Sequence, residues 1–475
     1  MRRPIIALSN RGPLSWRRND DGEFVAKRGA GGLVTALGPA LEATGGTWIA
    51  TALSEDDREA TAAGLDSGAH GYSVHLLDID AATLTGALDV VANQYLWYAN
   101  HDLWNRPWSP EFGNDAALVW NDYVAFNEQF AQAALSAAAD IAGDSGADIG
   151  DPVVFVQDYH LALVPGILKT RNPDLDVVFF LHTPFATRSA LAVLPDAWPQ
   201  ALVTSIASAD IAGFHTARWA ERFDRALHAI APGSMSNSRV FPLGPDPESL
   251  REEAAGDAVA TQRAILEDQI AGRRVVTRVD RAELSKNVLR GLRAFDEMLQ
   301  RRPEMVDAVA HLVMLNPSRQ ALDDYRRYLD DCATLADDIN SRHPATDGRK
   351  PVLFYAEDLF PRSVAGLQVA DVLVANPISD GMNLVAKEGP LVNERDTVLV
   401  LSREAGAYAE LDGVCLDVNP YDVAETSAAI EAALDMSDDE RQERAARLRE
   451  VAAANPPSAW IGAQLSAIDE IGAGR

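Results

Sequence analysis

The sequence predicts an α/β fold: two doubly wound parallel-sheet domains. Three observations carry this expectation. Short apolar runs recur along the chain, longer amphipathic segments separate them, and a proline-rich break near the middle divides them into two sets. A strand that is apolar on both faces belongs in a parallel sheet covered by helices, because a sheet with one wet face would alternate. Strand–helix alternation repeated on both sides of a break gives two such sheets. The 475-residue length agrees, since single cores stop growing at roughly 250–300 residues.

The first set of runs is Pro4 to Ser9, Pro152 to Gln157, Val177 to Leu181 and Ile211 to Phe214. Residues 14–28 read instead as a hairpin turning at Asn19-Asp20-Asp21-Gly22, residue types that tolerate tight turns. The Ala-rich Phe126 to Ala142 is a helix. Phe241-Pro242-Leu243-Gly244-Pro245-Asp246-Pro247 fits neither a helix interior nor a central strand, because its prolines remove backbone donors; it is a linker or a hinge. The second set is Val275 to Val279, Leu312 to Leu315, Val352 to Phe354, Val372 to Ala375, Val398 to Leu401 and Val414 to Leu416, with a charged helix over Ala321 to Ile339. Ser437-Asp438-Asp439-Glu440 is a capping box opening a helix through Val451. Pro456-Pro457 then breaks the chain before an amphipathic helix over Ala459 to Ile471. The domains expected are 1–244 and 245–455, followed by a terminal helix within 456–475.

Lys plus Arg number 42 and Asp plus Glu 70, a net charge of −28. That sign disfavours nucleic acid and acidic membrane surfaces as partners. Two cysteines, Cys332 and Cys415, make no disulfide framework. The run Ile5 to Leu8 is too short for a signal peptide, and no stretch reaches the ~18 apolar residues of a membrane span, so a cytoplasmic protein is expected. There is no His-Glu-x-x-His, no Gly-x-Ser-x-Gly and no Walker A string, and Gly29 to Gly32 lacks the dinucleotide spacing. Neither a metal nor a redox cofactor is expected.

In open α/β sheets ligands bind beyond the carboxyl ends of the strands, so the polar residues after each run matter most. Ser9-Asn10-Arg11 follows the first, and Gly29-Ala30-Gly31-Gly32-Leu33 opens a helix. Such glycines bring backbone N–H groups to an anion or simply make a turn; Arg11 nearby suits a phosphate. Gln157-Asp158-Tyr159-His160 and His182-Thr183-Pro184-Phe185 follow the next two runs. Asp158 would recognise a hydroxyl or cap a helix, and His182 would bind a hydroxyl or fill the core. Arg278 and Lys286 flank a strand-to-helix loop, where they would clamp a diphosphate or form surface ion pairs. Asn316-Pro317-Ser318-Arg319 adds another cation. In Asp380-Gly381-Met382-Asn383-Leu384-Val385-Ala386-Lys387-Glu388 the backbone can present amides, and Glu388 could accept both hydroxyls of a ribose.

These strings, in this order from Ser9 to Trp460, resemble the trehalose-6-phosphate synthase family of retaining glycosyltransferases. The resemblance implies a GT-B fold, two Rossmann-like domains facing a cleft, with an N-terminal acceptor domain, a C-terminal nucleotide-sugar domain and a last helix crossing back to the first. It implies transfer of glucose from UDP- or GDP-glucose to glucose 6-phosphate, giving trehalose 6-phosphate. The route implied is front-face and metal-free, with the leaving phosphate accepting the incoming hydroxyl's proton. Arg278 and Lys286 would stabilise the departing nucleotide. Asp380, His182 and the backbone of Gly381, Met382, Asn383 and Leu384 would hold the glucose, and Glu388 the ribose. Asp158 would contact the acceptor sugar. Arg11, Trp97 and Arg319 would surround its phosphate, and Gly31 and Gly32 would close over the donor. The cleft would then be positive inside an acidic shell.

Departures fall on the acceptor side. The family's tyrosine nine positions before Trp97 is Leu88, and its Arg-Asp-Gly reads Ser379-Asp380-Gly381. Ser54-Glu55-Asp56-Asp57-Arg58, Asn316 to Arg319 and Pro390 to Asp396 resemble validoxylamine 7′-phosphate synthase, which joins cyclitols through a carbon–nitrogen bond. An aminocyclitol or polyol phosphate acceptor is therefore an alternative, and a non-catalytic sugar-phosphate-binding regulator a further one. A homo-oligomer is left open.

Overall fold

A computed structural model describes residues 3–29, 32–65, 71–144 and 151–473. The chain divides into two compact units, Met1–Leu243 with Pro457–Arg475, and Gly244–Pro456. In the first, β1 (Ile5–Leu8) is fully buried and leads into a hairpin of β2 (Leu14–Arg18) and β3 (Phe24–Arg28). The hairpin turns at Gly22, φ +80°, whose N–H donates to Asn19 O at 3.0 Å; Asn19 Oδ1 accepts from Asp21 and Glu23 N–H. The sheet continues with β4 (Thr47–Thr51), β5 (Ser73–Leu77), β6 (Val153–Gln157), β7 (Asp176–Leu181), β8 (Ile211–Phe214) and β9 (Ser238–Val240). Its order is β5-β4-β1-β6-β7-β8-β9, and every pairing is parallel.

The second unit holds β10 (Arg274–Arg281), β11 (Val309–Asn316), β12 (Val352–Ala356), β13 (Val372–Ala375), β14 (Val398–Ser402) and β15 (Leu416–Val418), in the order β12-β11-β10-β13-β14-β15. These pairings are parallel too. Each sheet runs outward from its first strand, returns, and continues on the other side. The order therefore reverses between β1 and β6 in one unit and between β10 and β13 in the other. Crevices for ligands form at the carboxyl ends of such strand pairs.

The apolar runs become central strands because helices cover both faces. Ile5, Ala7, Phe155 and Phe180 pack with Trp48 and with Trp460, Ile461 and Ile468 of the last helix, Pro457–Ala473. Leu8, Val154 and Val156 pack on the other side with Phe126 and Phe130 of the long helix Ala116–Asp144. Leu88 is buried in this second cluster, on a π-helical segment Thr85–Leu96. Strands β4, β5 and β9 escape the sequence pattern for different reasons. β4 is buried but carries threonine at both ends, whereas β5 and β9 are edge strands with half-exposed residues.

Ser54-Glu55-Asp56-Asp57-Arg58 has a structural task. Ser54 Oγ accepts from Asp57 N, Asp57 Oδ2 accepts from Ser54 N, and Asp57 Oδ1 accepts from Trp16 N at 2.6 Å. The string is a capping box that also braces β2. Asn393, in the Pro390 to Asp396 string, is likewise structural: its Nδ2 donates to Leu367 O and Ala370 O, and its Oδ1 accepts from Arg395 and Thr397 N–H. At Ser437 the hydroxyl accepts from Glu440 N at 3.4 Å, opening the helix Asp438–Ala452. Among the described residues no helix is long and apolar enough to cross a membrane. Cys332 and Cys415 are buried free thiols.

Candidate active site

In the first unit, the turn after β1 is pinned by Ser9. Its Oγ accepts from Trp48 Nε1 at 2.8 Å and donates to Arg11 O at 2.7 Å, leaving Arg11 exposed at the strand's carboxyl end. Gly32 opens the helix Gly32–Thr44; Gly31 lies outside the described residues.

Asp158 follows β6 with φ +73° and ψ 169°, a region essentially reserved for glycine. Its backbone N–H donates to Phe180 O at 2.8 Å, and its Oδ1 accepts from His182 N at 3.2 Å. The side chain does not cap the turn that follows. Strained backbone held by a neighbouring strand aims this carboxylate at the end of the sheet. His182, beyond β7, places Nε2 2.9 Å from Gln157 Oε1 and packs against Phe180, His215 and Trp460. Burial pulls its pKa down to about 4, so the ring is neutral near pH 7. A carbonyl oxygen only accepts, so Nε2 carries the proton and Nδ1 keeps a lone pair for a hydroxyl. Trp97 is packed inside the unit, stacked on His101 with ring centres 3.8 Å apart.

In the second unit the crevice between β10 and β13 is lined by charge. Lys286 Nζ donates to Asp380 Oδ2 at 2.6 Å and lies 3.9 Å from Asp280 Oδ1. Burial opposes the ammonium, but Asp380 and Asp280 outweigh it and hold its pKa above the ordinary value. Arg278 does not reach this surface. It lies within the apolar part of β10 with none of its area exposed, and its Nε donates to Asp280 Oδ2 at 2.8 Å. A guanidinium enclosed in this way cannot clamp a ligand.

The residue that the sequence reading missed is Arg281, at the end of β10, whose side chain is 54% exposed. Strand register held the clue: the apolar run continues past Arg278 to Val279, so the loop begins after it. Arg281 Nη1 lies 3.1 Å from Glu283 Oε1, and the same oxygen accepts from Arg319 Nη1 at 2.8 Å and Ser318 Oγ at 3.0 Å. Glu283 is wholly buried and gathers the arginines that end β10 and follow β11. Of the expected cations, Lys286 pairs with Asp380 and Asp280, Arg278 with Asp280 and Arg319 with Glu283, which Arg281 shares, while Arg11 stays exposed.

Hydrogen bonds of its own side chains and of a neighbouring segment shape the Asp380 to Leu384 loop. Asn383, φ +73°, donates from Nδ2 to Asp380 Oδ2, while its Oδ1 accepts from Ala386 N. The segment after β14 clasps this loop: Asp380 N donates to Glu404 O, Gly406 N to Asp380 O and Ala407 N to Met382 O, at 3.2, 3.0 and 2.6 Å. A Cβ at Gly406 would lie 1.9 Å from Gly381 O. Gly406→Ala is therefore expected to cost about 2–3 kcal/mol in denaturant unfolding, since backbone cannot yield cheaply here. Glu388, on the helix Val385–Val392, is partly buried, and burial together with Glu253 raises its pKa to about 7 against the pull of Lys286. Among the described residues no group of three or more His, Cys, Asp or Glu side chains is placed to hold a metal ion.

Residues 3–470 match glycosyltransferase family 20. A trehalose-6-phosphate synthase of Mycobacterium sp. strain KMS is 31% identical over 500 residues, covering 99% of this chain and 96% of that protein. A validamine 7-phosphate valienyltransferase of Streptomyces hygroscopicus subsp. jinggangensis is 30% identical over 467 residues, covering 94% and 89%. A Burkholderia xenovorans α,α-trehalose-phosphate synthase (UDP-forming), in complex with glucose-6-phosphate, superposes with a TM-score of 0.81 at 25% identity, covering 98% of this chain and 100% of that one. An E. coli structure bound with UDP-2-fluoro glucose also scores 0.81 at 25% identity, with 98% of each chain covered.

Proposed function

Because the chain belongs to glycosyltransferase family 20, we propose that it transfers glucose from UDP- or GDP-glucose to glucose 6-phosphate, giving trehalose 6-phosphate with retention. The observation that carries this reading is the Lys286–Asp380 pair, 2.6 Å apart, on a hydrogen-bonded loop with Glu388 on the following helix. In this reading Asp380, His182 and the amides of Gly381, Met382, Asn383 and Leu384 hold the glucose, while Glu388 accepts the ribose hydroxyls. Lys286 and Arg281 face the diphosphate, whose negative charge grows as the bond to glucose breaks. Cations fixed in advance stabilise that charge without reorganising, and a carboxylate already bound to each sets its position. The leaving phosphate oxygen takes the incoming hydroxyl's proton on the same face, so no protein nucleophile is required and positioning supplies much of the rate. Neither step needs a metal. Asp158 orients the acceptor sugar; Arg11 and Arg319 serve its phosphate.

A second reading, an aminocyclitol phosphate as acceptor, draws on Leu88 in the core and on the similarity to a valienyltransferase. The test is nucleotide release from UDP- and GDP-glucose with glucose 6-phosphate, a polyol phosphate or an aminocyclitol phosphate. Release with glucose 6-phosphate is expected. Release only with another phosphate would replace the acceptor, and no release with any would sink the enzymatic reading.

A further inference from the structure

Arg278 has no place in the binding roles above, yet a fully buried guanidinium is costly unless its charge and donors are satisfied. Nη1 has no hydrogen-bond partner among the described residues, and the bonds of Nε and Nη2 both bear on one residue. Nη2 donates to the main-chain carbonyl of Lys286 at 2.7 Å, and Nε donates to Asp280 Oδ2 at 2.8 Å. The other Asp280 oxygen lies 3.9 Å from Lys286 Nζ. One guanidinium thus holds Lys286 at its backbone directly and at its ammonium through a shared carboxylate.

The local chain makes such a hold necessary. Lys286 ends a single 3-10 turn, Leu284–Lys286, and Asn287 follows at φ +60° before the helix Val288–Arg301. The helix takes Asn287 O as acceptor, from Gly291 N at 3.2 Å, so the Lys286 carbonyl falls just outside its ladder. Arg278 supplies the donor there. The first helical turn fits closely over the guanidinium: a Cβ at Gly291 would come 2.2 Å from Arg278 Nη1. A planar fork of donors can serve a carboxylate and a carbonyl at once, which an ammonium on a flexible stem does poorly.

We propose that Arg278 is a positioning residue for the transfer, acting through Lys286 rather than on the substrate. The proposal rests on the donor-diphosphate role of Lys286 given above. It is tested with Arg278→Lys, Gly291→Ala, Lys286→Met and the double variant Arg278→Lys/Lys286→Met. Affinity for UDP and GDP is measured by calorimetry beside kcat, donor KM and thermal melting. Arg278→Lys is expected to weaken nucleotide binding and lower kcat about 10- to 100-fold, and Gly291→Ala to shift both in the same direction by displacing the guanidinium. Added to Lys286→Met, the Arg278→Lys change should have no further effect on nucleotide affinity.

A merely structural Arg278 would lower the melting temperature while its effect on binding added in full to that of Lys286→Met; that additivity overturns the proposal. Wild-type kcat and affinity in Gly291→Ala also overturn it, and that variant decides should Arg278→Lys fail to fold. Wild-type nucleotide affinity in Lys286→Met overturns the donor role of Lys286 itself and the inference with it, a failure recognised from that variant alone.

Discussion

Lys286→Met is expected to lower kcat by about 10²–10³-fold at saturating substrates, the size of effect seen when one preorganised charge-stabilising group is removed. Methionine keeps the stem and removes only the ammonium. Three consequences follow from the geometry. On the donor role proposed above, nucleotide affinity falls, because the charge assigned to the diphosphate is gone. Asp380 loses a partner at 2.6 Å, while Asn383 and the Glu404 to Ala407 clasp still hold its loop. Asp280, which burial already pushes toward protonation against Arg278 and Lys286, moves further that way. A kcat within twofold of wild type, in the same nucleotide-release assay, would remove Lys286 from the chemistry.

Glu388→Gln is expected to raise donor KM about 100-fold, since two hydrogen bonds to a charged acceptor are weakened together. The wild type should also show a pH signature that the variant lacks. Glu388 has its pKa raised by burial to about 7, whereas the ordinary value is 4.5. Below pH 7 the carboxylate takes up a proton and stops accepting on both oxygens, so donor KM should rise, approaching about tenfold per pH unit. Stability moves oppositely. A group whose folded pKa is raised adds stability that is complete below pH 4.5 and is lost as pH rises through about 7. Melting curves of the ligand-free enzyme should therefore decline between pH 5 and 7 from this group, and Glu388→Gln should remove that part of the slope. A flat wild-type KM over pH 6 to 8 would contradict the assignment.

How much of this was legible in the sequence depended on continuity. β6, β7, β8 and β13 are buried on both faces and read directly as apolar runs. Edge strands β5 and β9, half exposed, leave no such mark. The Asp380 to Glu388 string stood out in the sequence because its polar groups are contiguous, one loop and the helix it opens. Arg278 and Arg281 could not be told apart by residue type; only the strand's end, three residues further along, separates a buried brace from a surface cation. Glu283 was invisible as a hub because its partners come from two different strand ends. Gly406 looks like any loop glycine until Gly381 is seen against it.

The last helix, Pro457–Ala473, has a consequence for how the chain is made. It belongs to the first unit, where Trp460, Ile461 and Ile468 join Ile5, Phe155 and Phe180 in one core, although the whole of Gly244–Pro456 precedes it in the sequence. A ribosome emits the chain from its N-terminus, so the first sheet emerges early with that core face uncovered. The second unit is complete before the missing cover is synthesised, and the part begun first is the part finished last. A stop codon near Pro457 would spare the unit just translated and leave the opening half of the protein with bare apolar surface, an aggregation hazard created by its final residues.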